Sequence, residues 1–237
     1  MVGSTGKRVD VIAAMSSAAL MASVAVAAWD RTEELVDNAL QVDADAMRGE
    51  ALYRDQCASC HGPNAYGAAE HDIPALAAQR RAYMIKQLAD FLAGDRRATQ
   101  MHRVVSRTAV SNPQALADVS LYLNRLPPPA FADTGDGKYL ALGAATYAKF
   151  CGGCHQDDGR GDDDGFVPSV RNQHYRYLLK EMRNLADGHR LNVEHELSRF
   201  LESLPPEEMQ GLADYLSRMQ GPLPDRTRDD DTGSDSR

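Results

Sequence analysis

The stretches that decide the fold are Cys57–His61, "CASCH", and Cys151–His155, "CGGCH", which between them use every cysteine in the chain. In each, two thiols three positions apart are followed at once by a histidine. Thiols at that spacing add across the two vinyl groups of one porphyrin, and the adjacent imidazole then lies beneath the iron as its proximal ligand. Both pentapeptides are read as covalent attachment points for haem c. Cys57, Cys60, Cys151 and Cys154 form the thioethers, and His61 and His155 bind iron. A thioredoxin-like redox pair has no use for the histidine, and a zinc site lacks two further ligands at short spacing. An exported disulfide framework does not produce the same pentapeptide twice.

The two motifs stand 94 residues apart, and the same offset pairs Gly49 with Gly143, Tyr53 with Tyr147, Pro74 with Pro168, Gln79 with Gln173, Tyr83 with Tyr177, Gly94 with Gly188 and Arg96 with Arg190. One unit has been duplicated. Carried further, the offset pairs Met101 with His195, each forty residues after its motif histidine. Met101 lies in "RRATQMHRV", read as a polar loop with little core for a lone Met to fill. His195 lies in "RLNVEHELSRF", among glutamates. Met101 is the expected distal ligand of the first iron and His195 that of the second, with His102 the competitor beside Met101. His71, His174 and His189 have no ligand-like counterpart in the other half. Met84, Met182, Met209 and Met219 are read as core. Beyond His195 the offset falls to 93, where Tyr122 pairs with Tyr215.

Ala, Leu, Arg and Glu outweigh the β-branched residues, so an all-α fold is expected. Helices are expected near 45–56 and 137–150, over 74–94 and 169–186, and over 113–126 and 205–219, the last pair beginning at proline. In the first of the long helices Leu76, Tyr83, Leu88, Phe91 and Leu92 form an apolar stripe, and Gly94 ends it.

A chain of 237 residues has room for two ordinary domains. Lys7 and Arg8 precede an apolar run ending in small residues at Val26, Ala27 and Ala28, so residues 1–28 are an export signal or an uncleaved anchor. Residues 29–44 are expected to be a linker, 45–126 the first haem domain, 127–136 a Pro- and Gly-containing connector, 137–222 the second haem domain and 223–237 a solvated tail. The net charge of -8 argues against a general nucleic-acid binder. The second half is the more acidic, and the run "DDGRGDDDG" after its motif is suited to steering a basic partner.

With these features in place, the chain from about Asp45 to Met219 resembles the dihaem cytochrome c4 family. The resemblance rests on two Cys-x-x-Cys-His units, each followed by a proline segment, a Gln and Tyr helix, a Gly-x-Arg turn and a closing helix that carries Leu-Ala-Asp and Tyr-Leu. It implies two tandem class I cytochrome c folds carrying two covalent haem c groups. It also implies a periplasmic electron carrier, soluble or membrane-attached, serving respiratory chains through protein donors and acceptors, with no catalytic residues of its own. The family has Met as distal ligand on both haems. His195 departs from that pattern, and a bis-His iron has the lower reduction potential, so electrons are expected to enter at the second haem and leave from the first. Two other readings stand beside this one: a cytochrome subunit of an oxidoreductase complex of the flavocytochrome c type, and a dihaem peroxidase or thiosulfate dehydrogenase. No fifth cysteine is present to supply an unusual thiolate ligand, which disfavours the last.

Overall fold

The computed structural model describes residues 32–220, except 97, 131 and 191. The expected export segment and C-terminal tail lie outside the described residues. Helix begins earlier than the sequence reading proposed. Residues 32–41 (α1), placed in the expected linker, are helical and bury Val36 and Ala39 in the first core.

Asp45 starts α2 (Ala46–Gln56), its carboxylate accepting from the backbone N–H groups of Met47 and Arg48. In the first unit α3 (Arg81–Ala93), α4 (Thr99–Arg107) and α5 (Pro113–Arg125) follow. Asn112 caps α5 through the Ala115 N–H, with Pro113 in the first turn. The second unit repeats the order: α6 (Leu140–Thr146) runs into a π-helical turn, Tyr147–Cys151, and α7 (Tyr175–Ala186), α8 (His195–Ser203) and α9 (Pro206–Arg218) follow. Among the described residues there is no strand, only isolated bridges.

The first and last helices of each unit cross at a glycine. A Cβ on Gly49 would stand 2.0 Å from the Asp118 carbonyl oxygen, and one on Gly143 1.9 Å from that of Gly211. The same crossings stack Tyr53 on Tyr122 and Tyr147 on Tyr215, both at 5.5 Å between ring centroids. Met84, Met182 and Met209 are buried in the two cores, and Met219 packs against the second.

Three expected boundaries move. The helices expected over 74–94 and 169–186 begin only at Arg81 and Tyr175. In both units the preceding stretch carries a left-handed residue, Ala78 at φ 60° and Asn172 at φ 55°, which an α-helix does not accommodate. Met101, expected in a loop, lies within α4, because the buried Val105 and its partly buried neighbour Val104 give that segment a helical apolar face.

Candidate haem sites

Cys57 closes α2 and opens the turn Ala58–His61: its N–H donates to the Tyr53 carbonyl at 2.9 Å, and the His61 N–H donates back to the Cys57 carbonyl at 3.0 Å. Both thiols of each pair are free, with Cys60 and Cys154 exposed and Cys57 and Cys151 half-buried. Burial pushes the Cys57 and Cys151 thiols up to about 11. Tyr53 and Tyr147 brace the two turns, their hydroxyls donating to the carbonyls of Gly62 and Gln156.

The motif histidines are held alike. His61 Nδ1 lies 3.2 Å from the Pro74 carbonyl oxygen, and His155 Nδ1 lies 3.0 Å from that of Pro168. A carbonyl only accepts, so Nδ1 carries the proton and Nε2 keeps its lone pair. Burial holds both imidazoles below the ordinary histidine range, and the proline carbonyls offset this in part. Two free thiols beside a neutral, fixed imidazole, in the same frame twice, fit the donor set that a covalent haem requires.

Distal to these turns the two units differ. Between Arg96 and the start of α4 at Thr99 there are two residues, and between Arg190 and the start of α8 at His195 there are four. Both helices have nine residues, and both bury the seventh, Val105 at 1% and Leu201 at 4% exposure. The folded register therefore places Leu197, not His195, where the first unit has Met101. The offset of 94 paired Met101 with His195 because it does not see this two-residue insertion. Met101 is partly buried against the first core, while His195 is exposed at the first position of α8. Gln100, next to Met101, brings its Nε2 within 3.9 Å of Cys60 Sγ, so α4 begins beside the first motif. Phe200 of α8 stacks on Phe150 at 4.8 Å, so α8 lies beside the second. The competitor His102 turns away, its Nδ1 donating to the Phe91 carbonyl at 2.6 Å.

The family model for cytochrome c matches residues 46–127 and again 140–220. Cytochrome c4 of Azotobacter vinelandii is 30% identical over 162 residues, which span 63% of this chain and 75% of that protein. The chain belongs to the dihaem cytochrome c4 family. As a member of that family it carries two covalently bound haem c groups in two tandem cytochrome c domains. A Stutzerimonas stutzeri protein named as a thiosulfate dehydrogenase electron acceptor is 28% identical over 198 residues, spanning 76% of this chain and 90% of its own. The crystal structure of reduced recombinant cytochrome c4 from Pseudomonas stutzeri shares the fold, with a TM-score of 0.65 at 23% identity over 75% of this chain and all of that one (100%).

In this cytochrome c4 relative the two domains are joined by a pseudo-twofold set of polar contacts. Gln173 accepts from the Ala75 N–H at 3.0 Å and donates to its carbonyl at 2.8 Å. Gln79, its partner in the repeat, makes the same pair of bonds with Ser169, at 2.7 and 2.9 Å. Arg80 Nε donates to the Arg160 carbonyl, and at the equivalent place His174 Nε2 donates to the Tyr66 carbonyl while its Nδ1 accepts from the Asp133 N–H. His174 has a structural role that its sequence gave no reason to expect. Gln87 and Glu181, also 94 apart, form the centre of the junction, and that offset was the signal by which they could have been found.

Proposed function

We propose that this protein is a periplasmic electron carrier in which His61 and His155 are the proximal ligands, Met101 is the distal ligand of the first haem and His195 that of the second. The observation that carries the reading is the repeated fixing of a neutral motif imidazole by a proline carbonyl, with two free thiols beside it. Haem c supplies the one-electron iron couple. The chain's own groups do the rest: the proline carbonyls orient the imidazoles, the tyrosine hydroxyls brace the motif turns, and the paired glutamines hold the domains in fixed relation. The connector supports the same end, since Gly135 and Gly137 N–H groups both donate to the Asp214 carboxylate.

Two imidazoles, from His155 and His195, would give a bound second haem the lower potential, so that electrons would enter there and leave from the first. A second reading, as electron-accepting subunit for a dehydrogenase, is supported by the name of the Stutzerimonas stutzeri relative. Stable co-purification with a catalytic protein favours that reading over a free carrier.

Spectroscopy and potentiometry of the Met101→Ala and His195→Ala proteins test the assignment. The first substitution is expected to abolish the far-red methionine-to-iron band, and the second to convert a bis-imidazole low-spin signal. A second-haem potential equal to or above the first removes the gradient.

A further inference from the structure

We propose that Gln173 and Gln79 are positioning residues that act across the domain junction, each lowering the reduction potential of the opposite domain's haem through the peptide that holds its proximal histidine. The inference deepens the reading above. It rests on His61 and His155 as proximal ligands, and on neither distal assignment. One peptide group carries it in each unit. The Pro74 carbonyl accepts from His61 Nδ1 at 3.2 Å, and the N–H of that same peptide, belonging to Ala75, donates to Gln173 Oε1 at 3.0 Å. In the second unit the Pro168 carbonyl accepts from His155 Nδ1 at 3.0 Å, and the N–H of that peptide, belonging to Ser169, donates to Gln79 Oε1 at 2.7 Å.

Each side-chain amide is locked in orientation. Gln173 Oε1 also accepts from the His174 N–H at 3.0 Å, and Gln79 Oε1 from the Arg80 N–H at 2.8 Å. In turn Nε2 donates to the Ala75 carbonyl at 2.8 Å in one case and to the Ser169 carbonyl at 2.9 Å in the other. Two N–H groups require an oxygen and a carbonyl requires an NH2, so the surrounding backbone fixes which end of the amide meets the peptide. Fastening two domains needs no particular backbone group. Both copies nevertheless engage the one peptide whose carbonyl holds an imidazole.

The chemical consequence follows from hydrogen bonds in series. A peptide that donates at its N–H is polarised into a better acceptor at its carbonyl, by on the order of 10–30% per bond. The stronger acceptor draws the Nδ1 proton, makes Nε2 a more basic ligand and so favours the more highly charged, oxidised iron. The effect is larger for the first domain. His61, Ala75 and Gln173 are all buried, at 6%, 5% and 7% exposure, whereas Gln79 and Ser169 are only half-buried, and a low local dielectric strengthens each bond in the series.

The test is redox titration of the holoprotein, with the two haems resolved by their paramagnetically shifted methyl resonances. Gln173→Leu should raise the potential of the first haem by more than that of the second, and Gln79→Leu should do the reverse. Gln173→Glu keeps an accepting oxygen opposite the Ala75 N–H, and should leave the first potential at or below its native value. Shifts equal at the two haems, or largest in the substituted residue's own domain, would mark a loosened junction and overturn the inference. Unmoved potentials in variants that bind both haems would overturn it alone and leave the electron-carrier reading intact. Should Gln173→Leu fail to fold, Gln79→Leu, at the half-buried site, decides by the same criterion. A His61→Ala protein whose first haem kept its native spectrum would remove the proximal assignment, and the inference with it.

Discussion

Arg96 and Arg190, equivalent residues of the two repeats, pair with one another as an antiparallel bridge at the domain junction, and both guanidiniums converge on the same two side chains. Arg96 donates to Gln87 Oε1 at 3.0 Å and to Glu181 Oε2 at 2.7 Å, and Arg190 donates to the same two oxygens at 2.9 and 3.0 Å. A residue that meets its own copy lies on the pseudo-twofold axis. Duplication followed by one divergence, Gln87 against Glu181, leaves a single carboxylate between two buried arginines. Glu181→Gln should therefore cost about 3–5 kcal/mol of stability, the usual penalty for breaking a buried ion pair while its partners stay buried. Denaturant unfolding of the holoprotein measures it.

The same carboxylate makes the junction acid-sensitive. Burial pushes Glu181 upward, but Arg96 and Arg190 outweigh it and hold the group below its ordinary value of 4.5. A group whose folded pKa is depressed contributes stability that is present above the unfolded pKa and lost as pH falls through the folded one. Stability should thus fall as the solution is acidified below about pH 4.5, and the Glu181→Gln protein should show a shallower loss over the same window. Equal slopes for the two proteins would place the acid sensitivity elsewhere.

The glutamine pairs give a prediction that symmetry alone would miss. Gln173 serves the backbone of Ala75, which is 5% exposed, whereas Gln79 serves Ser169, which is only half-buried. An N–H and a carbonyl stripped of partners cost about 1–3 kcal/mol each when water cannot replace them. Gln173→Ala should therefore destabilise more than Gln79→Ala, although the two residues occupy equivalent places. Amide exchange at Ala75 and Ser169 distinguishes the cases.

These contacts also show what could be read from sequence. The haem motifs were legible because covalent chemistry fixes their spacing, and the repeat followed from subtraction. The helix crossings were marked by Gly49 and Gly143, which fall at the same offset. The distal register was not legible. Unit two inserts two residues before α8 and has three fewer between α8 and Pro206 than unit one has between α4 and Pro113, so the offset changes from 94 only to 93 overall. A constant-offset comparison sees only the net change, while helix starts and the buried Val105 and Leu201 reveal both steps. The late starts of α3 and α7 were likewise hidden, because nothing in "PALAAQR" announces a left-handed Ala78.

The two crossing glycines should tolerate no side chain. In Gly49→Ala the new methyl would meet a backbone carbonyl, which cannot rotate away, and Gly143→Ala would meet another. Each should cost at or above the upper end of the roughly 1–3 kcal/mol typical of overpacking, by splaying α2 from α5 or α6 from α9. Thermal melting followed through the haem absorption and through helix content should shift together, since the motif turn begins where α2 or the π-helical turn ends.

The two domains should depend unequally on their haems. Among the described residues, sixteen buried apolar side chains form the first core, including Val36 and Ala39 of α1, against eight in the second. Stabilisation scales with apolar area removed from water, so the second domain has less of its own with which to offset the conformational entropy of ordering its helices. Replacing Cys151 and Cys154 by serine, which prevents covalent attachment there, should leave α7, α8 and α9 with little hydrogen-exchange protection. The matching Cys57 and Cys60 replacements should leave residual protection in α2 and α5, where Asp118 also ties Arg48 and the Asp45 N–H. Equal protection in the two variants would show that haem, rather than protein core, sets the stability of both domains alike.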